Sequence, residues 1–194
     1  MPSRGPPARC QYNSFDMSIL KVARMGHPVL RAKARPLEKS EIRSVVVQKL
    51  IDDMMDTMAE YHGVGLAAPQ VHEGLRIFVA ALDDGEEEDE GEAAPLALIN
   101  PEITVVGADL IEDWEGCLSI PDVRGRVPRA REIKVRAYDR NGVRIELRAH
   151  DFPARVIQHE TDHLDGVLFF DRMRTFESLT FLDEYSRYWA KSND

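Results

Sequence analysis

The stretch that decides the fold is residues 158–164, which read Gln-His-Glu-Thr-Asp-His-Leu. Positions i and i+4 of an α-helix lie on the same face, so the imidazoles of His159 and His163 can reach one metal ion. Glu160 lies beside the first histidine and can reach a water molecule next to that metal, as the general acid/base of a metallohydrolase does. The segment therefore predicts a helix that carries a metal site.

The helix that carries the two histidines should run from about Pro153 to His163 and stop at Gly166. Two further helices are predicted. The first begins at the N-cap residue Ser40 and ends before Gly63. Its apolar stripe at helical spacing is formed by Ile42, Val46, Leu50, Met54, Met58 and Tyr61. The last begins near residue 175, and its apolar face is formed by Leu179, Leu182, Tyr185 and Trp189.

The segments between the helices have the pattern of short strands. Asn141-Gly142 separates two alternating stretches and is a strong hairpin signal. The predicted strands are residues 75–81, 96–99, 103–106, a stretch ending near Trp114, 132–138 and 143–148. A long helix, then many strands, then a helix predicts an α+β domain with strands wrapped around a central helix.

The residue types and their spacing do not decide which side chain is the third metal ligand. A metzincin site would place a third histidine after the glycine, but Phe169 stands at that position. Glu177 or Glu184 on a later helix would complete a thermolysin-like site. Cys117, within Glu-Gly-Cys-Leu-Ser at 115–119, is the other candidate. A Cys/His/His set leaves the fourth tetrahedral position for water, as catalytic sites do.

Residues 63–70, Gly-Val-Gly-Leu-Ala-Ala-Pro-Gln, form the third chemically informative segment. Its glycines resemble part of a phosphate-binding loop, but the segment follows a helix and lacks the third glycine and the lysine of that motif. Small residues permit a close approach of the backbone, and Gln70 provides an amide at the end. We therefore interpret the segment as one that another group approaches closely, and not as a phosphate-binding loop.

Composition restricts the class of protein. A chain of 194 residues is long enough for one domain with a core. Its net charge of −9 arises mostly from residues 83–92, where eight of ten positions are acidic, and that run is predicted to be a solvated loop. The remainder is nearly neutral, which excludes the charge pattern of a nucleic-acid-binding protein. No apolar run is long enough to span a membrane.

The first sixteen residues are rich in proline and polar side chains and have no periodic apolar pattern. We interpret 1–16 as a disordered or non-native leader, and an organelle-targeting remnant is the alternative. The leader contains Cys10, and Cys117 is the other cysteine of the chain. A single cysteine in the patterned sequence argues against a disulfide framework and favours a reducing compartment, the cytoplasm.

Taken together, the segments at 63–70, 115–119 and 158–164 resemble the three signature segments of the peptide deformylases, in the same order. The resemblance implies an α+β fold in which antiparallel strands surround the central HExxH helix. The resemblance covers about 17–173, which we interpret as the catalytic domain. From its apolar pattern we interpret 174–194 as a C-terminal helical segment of the same domain. The implied activity removes the N-formyl group from the N-terminal methionine of new polypeptides, giving formate and a free amino terminus.

The same resemblance implies a role for individual residues. The implied metal ligands are Cys117, His159 and His163. Glu160 is implied as the general acid/base, and Gln70 and the amide of Leu118 as the donors to the oxyanion. The implied substrate-binding residues are Val64, at the methionine pocket, Arg124, facing the substrate backbone, Gly65 and Gly116.

The implied cofactor is one divalent metal ion, natively Fe(II), for which Ni, Co or Zn can substitute. A thiolate ligand suits iron or zinc and excludes magnesium or calcium. The implied partners are formyl-Met nascent peptides near the ribosome exit. Neither direct nucleic-acid binding nor a membrane is expected, because the C-terminal segment has no basic run and the chain has no span.

Overall fold

Helices and antiparallel strands form the part of the chain that the computed structural model describes, residues 18–82 and 95–190. The α-helices are α1 (Lys39–Ile42), α2 (Val45–Glu60), α3 (Asp151–Leu164) and α4 (Leu182–Tyr188). The strands are β1 (Gly65–Ala67), β2 (Ile77–Ala80), β3 (Leu96–Val105), β4 (Leu110–Cys117), β5 (Ile120–Ala130), β6 (Glu132–Tyr138), β7 (Arg144–His150) and β8 (Thr180–Phe181). The predictions for 1–16 and for the acidic run at 83–92 lie outside the described residues.

Helix α3 lies between two sheets. One sheet has the strand order β1-β2-β3-β6-β7 and the other the order β4-β5-β8, and every pairing is antiparallel. Strands of both sheets contact α3. The apolar face of the helix, which includes Ile157 and Leu164, packs against Phe78, Leu98 and Ile133. The predicted α+β architecture with antiparallel strands around the HExxH helix is therefore confirmed.

The first predicted helix begins later than its sequence pattern indicated. Ser40 lies in the single turn α1, and α2 starts after Ser44, whose side-chain oxygen accepts a hydrogen bond of 3.3 Å from the amide of Val47. In the first turns of α2 the buried positions lie one residue later than predicted, and Val46 is 79% exposed, whereas Met54 and Met58 are buried as predicted. The side chains that reach the core are Val47, Ile51, Met54 and Met58.

The strands also differ from their predicted bounds. The two strands expected at 96–99 and 103–106 form one strand, β3, whose pairing with β6 shifts between Ile99 and Glu102. A bulge at this point interrupts the alternation, which is why the sequence reads as two strands. The prediction missed β5 because its prolines, glycine and arginines obscure the pattern, although it pairs with β4 along most of its length. The Asn141-Gly142 hairpin between β6 and β7 is confirmed.

The last predicted helix is shorter than expected and does not begin near residue 175. Thr180 and Phe181 form strand β8, which pairs with the edge of β5, and α4 begins only at Leu182. Because the backbone of these two residues pairs with a strand, it cannot continue a helix. Tyr185 and Trp189 do share a face, as predicted, and that face lies against the indole of Trp114.

The end of α3 is confirmed at Gly166. The helix ends at Leu164, and Gly166 has a φ of +73°, a conformation that favours glycine. A Cβ at this position would lie 2.6 Å from the carbonyl oxygen of Arg31. The glycine therefore allows the segment before α1 to pass close to the end of the central helix.

We expect Gly166→Ala to lower the free energy of unfolding by about 2–4 kcal/mol, because φ strain and the Arg31 carbonyl both oppose a Cβ. Gly107→Ala is the matched control, since Gly107 has the same φ of +73° and nothing within 4 Å of an added Cβ. This control should lose only about 1–2 kcal/mol in guanidinium unfolding. Equal losses would show that the close approach to Arg31 does not constrain the fold.

Candidate metal centre

Three buried side chains converge beside α3. The sulfur of Cys117, at the end of β4, and ring nitrogens of His159 and His163 all lie within 4.8 Å of one another. Cys117 Sγ is 3.2 Å from His163 Nε2, and the two imidazole rings meet edge to face at 5.0 Å. The helix supplies two of the groups at i and i+4, and the strand supplies the third.

The alternative glutamates do not join this cluster. Among residues 18–82 and 95–190, the cluster of potential metal-ligating groups consists of the thiol and the two histidines alone. Glu177 is exposed, and Glu184 pairs with Arg187 at 3.0 Å on the surface. Phe169, at the metzincin position, stacks on the ring of His159 at a centroid distance of 6.4 Å. The thermolysin-like alternative therefore lacks its third ligand.

The three groups have the chemistry of a transition-metal site. Burial raises the pKa of Cys117, but the charge of His163 and hydrogen bonds with both histidines outweigh it and hold that pKa well below its ordinary value. The cysteine is therefore favoured as thiolate, the form that binds metal. One thiolate and two imidazoles match three-ligand catalytic sites, in which a fourth position stays open. The donor set fits a divalent transition-metal ion.

Glu160 is buried against the glycine-rich segment. A Cβ on Gly65 would lie 2.7 Å from Glu160 Cδ, so only glycine leaves room for this carboxylate. One carboxylate oxygen, Oε2, is buried and has no hydrogen-bond partner among the described residues. Burial raises the pKa of Glu160, although the charges of His159 and His163 oppose the shift. A raised pKa suits a carboxyl group that accepts and returns a proton near neutral pH.

Gln70 is oriented toward the same point. Its Oε1 accepts a hydrogen bond of 2.8 Å from the Ala67 amide, which fixes the side chain. Its Nε2 then faces Cys117 Sγ at 3.5 Å and Ser119 Oγ at 3.3 Å. An amide N–H therefore points into the cluster.

His159 is held by buried side chains that the sequence pattern did not indicate. Glu115 Oε2 lies 2.9 Å from His159 Nδ1. Arg129 donates to both oxygens of Glu115, at 2.9 and 3.0 Å, and Arg155 donates to one at 2.8 Å. Burial raises the pKa of Glu115, but hydrogen bonds from His159 and Arg129 lower it to about 2. Such a carboxylate fixes the orientation of a histidine and leaves its other ring nitrogen available to bind a metal ion.

Asp162, also missed, anchors the other side of α3. Arg129 Nη1 donates to Asp162 Oδ2 at 2.5 Å, and Arg172 Nη2 donates to Oδ1 at 2.7 Å. Both acids lie within the signature segments, Glu115 at 115–119 and Asp162 at 158–164. Their position in the sequence, close to predicted metal ligands, was the feature that could have indicated their role. Nothing in the spacing indicates which arginines face them.

A cavity of about 840 Å³ opens onto the cluster. Its lining includes the remaining residues that the sequence predicted, namely Val64, Gly65, Gly116, Leu118 and Arg124. The side chain of Arg124 crosses Gly116 so closely that a Cβ there would lie 2.8 Å from Nε. Val64 is 48% exposed at the cavity. The structure therefore brings every predicted site residue except His163 to the wall of one cleft. His163 is buried behind that wall, with its Nε2 3.2 Å from Cys117 Sγ.

No helix in the described parts of the chain is both long and apolar enough to cross a membrane.

Comparison with known proteins identifies the family. The family model described as polypeptide deformylase matches residues 19–178. Peptide deformylase 2 of Nostoc sp. is 41% identical over 175 residues, which cover 90% of this chain and 97% of the relative. The peptide deformylase of Halothermothrix orenii is 43% identical over 158 residues, 81% of this chain and 95% of the relative.

Solved structures agree with the sequence relatives. One similar structure is a class I type b peptide deformylase from Acinetobacter baumannii, solved with Met-Ala-Ser bound. It has a TM-score of 0.74 and 39% sequence identity, and the match covers 81% of this chain and 99% of the Acinetobacter chain. The enzyme from Thermotoga maritima has a TM-score of 0.72 at 39% identity, with the same coverage. Both the sequence and the fold show that the chain belongs to the polypeptide deformylase family.

Proposed function

We propose that Cys117, His159 and His163 hold one divalent metal ion in this chain and that the cleft beside them carries out the reaction of the family. The chain is a metal-dependent deformylase that removes the formyl group from N-terminal methionine. The observation that carries the proposal is the convergence of one thiol and two imidazoles beside a buried carboxylate, Glu160.

A bound metal ion supplies a nucleophile at neutral pH by lowering the pKa of water, and it polarises the amide carbonyl. We propose Fe(II) as the native ion, with Ni, Co or Zn as substitutes. The soft thiolate of Cys117 supports a transition-metal ion, because magnesium and calcium prefer oxygen ligands. The same thiolate makes the ferrous form sensitive to oxidation.

Glu160 moves the proton in the proposed reaction. Its Oε2 atom, which has no hydrogen-bond partner among the described residues, accepts a proton from the attacking water. The same carboxyl then returns the proton to the amine nitrogen of methionine as the bond to the formyl carbon breaks. The raised pKa of Glu160 supports both steps, since a strongly acidic carboxylate would be a poor base.

Gln70 and the amide of Leu118 stabilise the charge that develops on the formyl oxygen. The Gln70 amide group is already oriented by its hydrogen bond from Ala67, so little reorganisation is needed during the reaction. Leu118 lies in the turn between β4 and β5, directly after Cys117, and lines the cavity. One such donor typically contributes about 3 kcal/mol.

The rest of the cleft binds the methionine and the peptide that follows it. Val64 borders an apolar pocket for the methionine side chain, and Arg124 faces the substrate backbone. Gly65 and Gly116 leave room for Glu160 and Arg124, and so shape the substrate space. The substrates in the cell are nascent peptides near the ribosome exit, and the enzyme is cytoplasmic. We assign catalysis to 17–173 and regard 174–194 as part of the same domain.

The proposed function predicts selective release of formate. The protein, purified without oxygen, should hydrolyse formyl-Met-Ala with a kcat/KM at least about a hundredfold above that for acetyl-Met-Ala, because the larger acyl group collides with the oxyanion donors. The assay measures formate and the new amino terminus. Equal hydrolysis of both substrates, or cleavage of unblocked Met-Ala, would instead indicate a general amidase or peptidase.

We expect Cys117→Ser to lose bound metal while the fold is retained, because a hydroxyl of similar volume is a poor ligand for a soft ion. Metal per chain, measured by mass spectrometry after anaerobic purification, should fall to less than about half of the original value. Cys10→Ser, which removes the other thiol of the chain, is the control and should keep its metal. Full occupancy in Cys117→Ser would reject the cysteine ligand and return attention to Glu177 and Glu184.

Glu160→Gln should retain metal but lower kcat by at least about a hundredfold, since an amide keeps the shape of the carboxyl group and cannot accept a proton. Glu177→Gln makes the same change at an exposed position outside the cleft and should leave kcat unchanged. Steady-state kinetics on formyl-Met-Ala, with metal content measured in parallel, separates these effects. Near-normal turnover by Glu160→Gln would assign the proton transfer to another group.

A further inference from the structure

The C-terminal segment, residues 180–189, contributes to the wall of the active-site cavity. Leu182, the first residue of α4, is half-buried and lines the same cavity as Cys117 and His159. The family model matches only as far as residue 178, so this part of the wall lies outside the region shared with that model. Its role therefore has to be inferred from its own contacts.

The position of Leu182 is tied to the strand that carries Arg124. Strand β8 pairs with β5 at two positions, where Phe181 faces Val123 and Thr180 faces Arg124. Leu182 follows β8 directly. Because Arg124 also lines the cavity, the pairing fixes Leu182 relative to the proposed substrate-binding arginine.

A second anchor joins the C-terminal segment to β4. The indole of Trp114 lies 4.9 Å from the ring of Tyr185 and 5.7 Å from that of Trp189. Trp114 itself lines the cavity and directly precedes Glu115, which holds His159. Leu182 and Trp114 thus add two apolar side chains to the cavity, and the same short helix helps to position both.

The size of the cavity leaves space for these side chains to meet substrate. At about 840 Å³ it lies in the upper part of the usual range for ligand sites, roughly 300–1000 Å³. One formyl-methionine fills only part of such a volume. The peptide chain beyond methionine needs the rest of this volume. Trp114 and Leu182 contribute an indole and a branched aliphatic side chain to the cavity wall, and such groups favour apolar side chains.

We propose that Leu182 and Trp114 form an apolar subsite for the side chains that follow the initiator methionine, so that the enzyme prefers formyl-Met peptides with apolar second or third residues. This inference rests on the proposed function, since it concerns the substrate of the same cleft. Leu182 is then a specificity-determining residue that the C-terminal segment contributes to the cleft.

The test compares Leu182→Ala with the unsubstituted, metal-loaded enzyme on formyl-Met-Ala and formyl-Met-Leu-Leu. Loss of three side-chain carbons should lower kcat/KM for formyl-Met-Leu-Leu by about tenfold and for formyl-Met-Ala by no more than about twofold. Phe181→Ala is the matched control, because Phe181 is the adjacent residue, is 68% exposed and does not line the cavity. Leu182→Met should restore most of the preference.

A structural readout shows whether the C-terminal segment stays in place. The chain contains two tryptophans, Trp114 and Trp189, and their rings lie close together, so near-ultraviolet circular dichroism reports their packing. That signal should be unchanged in Leu182→Ala. Equal loss on both substrates, or no loss on formyl-Met-Leu-Leu, would overturn the subsite. Failure of the unsubstituted enzyme on formyl-Met-Ala would instead refute the proposed function.

Discussion

The buried carboxylate of Glu115 joins the central helix to the sheet that supplies the thiol. It meets His159 of α3 on one side and the guanidinium groups of Arg129 and Arg155 on the other. A charge in this position is tolerable only while its partners remain, and removing one partner of such a pair typically costs about 3–5 kcal/mol. The geometry of the metal site therefore depends on a network that does not itself touch the reacting atoms.

The same network holds helix α3 in a fixed position relative to strands β4 and β5. Arg129 extends from β5 and donates to Glu115 on β4 and to Asp162 on α3, so one side chain connects three elements. Two positions of the HExxH segment, His159 and Asp162, are thereby anchored from outside the helix. Fixed donors and acceptors of this kind keep ligands in place without reorganisation during the reaction.

Three glycines leave room for a neighbouring group that passes close to their backbone. Gly65 admits the carboxylate of Glu160, Gly116 admits the side chain of Arg124, and Gly166 admits the carbonyl of Arg31. In each case a Cβ would occupy space that another group already fills. Gly65 and Gly116, which belong to the signature segments, thus act by leaving room for a neighbouring side chain, and Gly166 leaves room for the backbone of Arg31 at the end of α3.

The sequence by itself determined what depends on local spacing: two histidines on one helix face, the hairpin at Asn141-Gly142 and the helix end at Gly166. It also supplied the family resemblance that implied a cysteine ligand. Only the tertiary structure decided which distant groups meet, such as Cys117 with His163, Glu115 with Arg129, or Leu182 with the cavity. Periodicity describes neighbours along one element, whereas strand pairing and the packing of α3 bring together residues that are far apart in sequence.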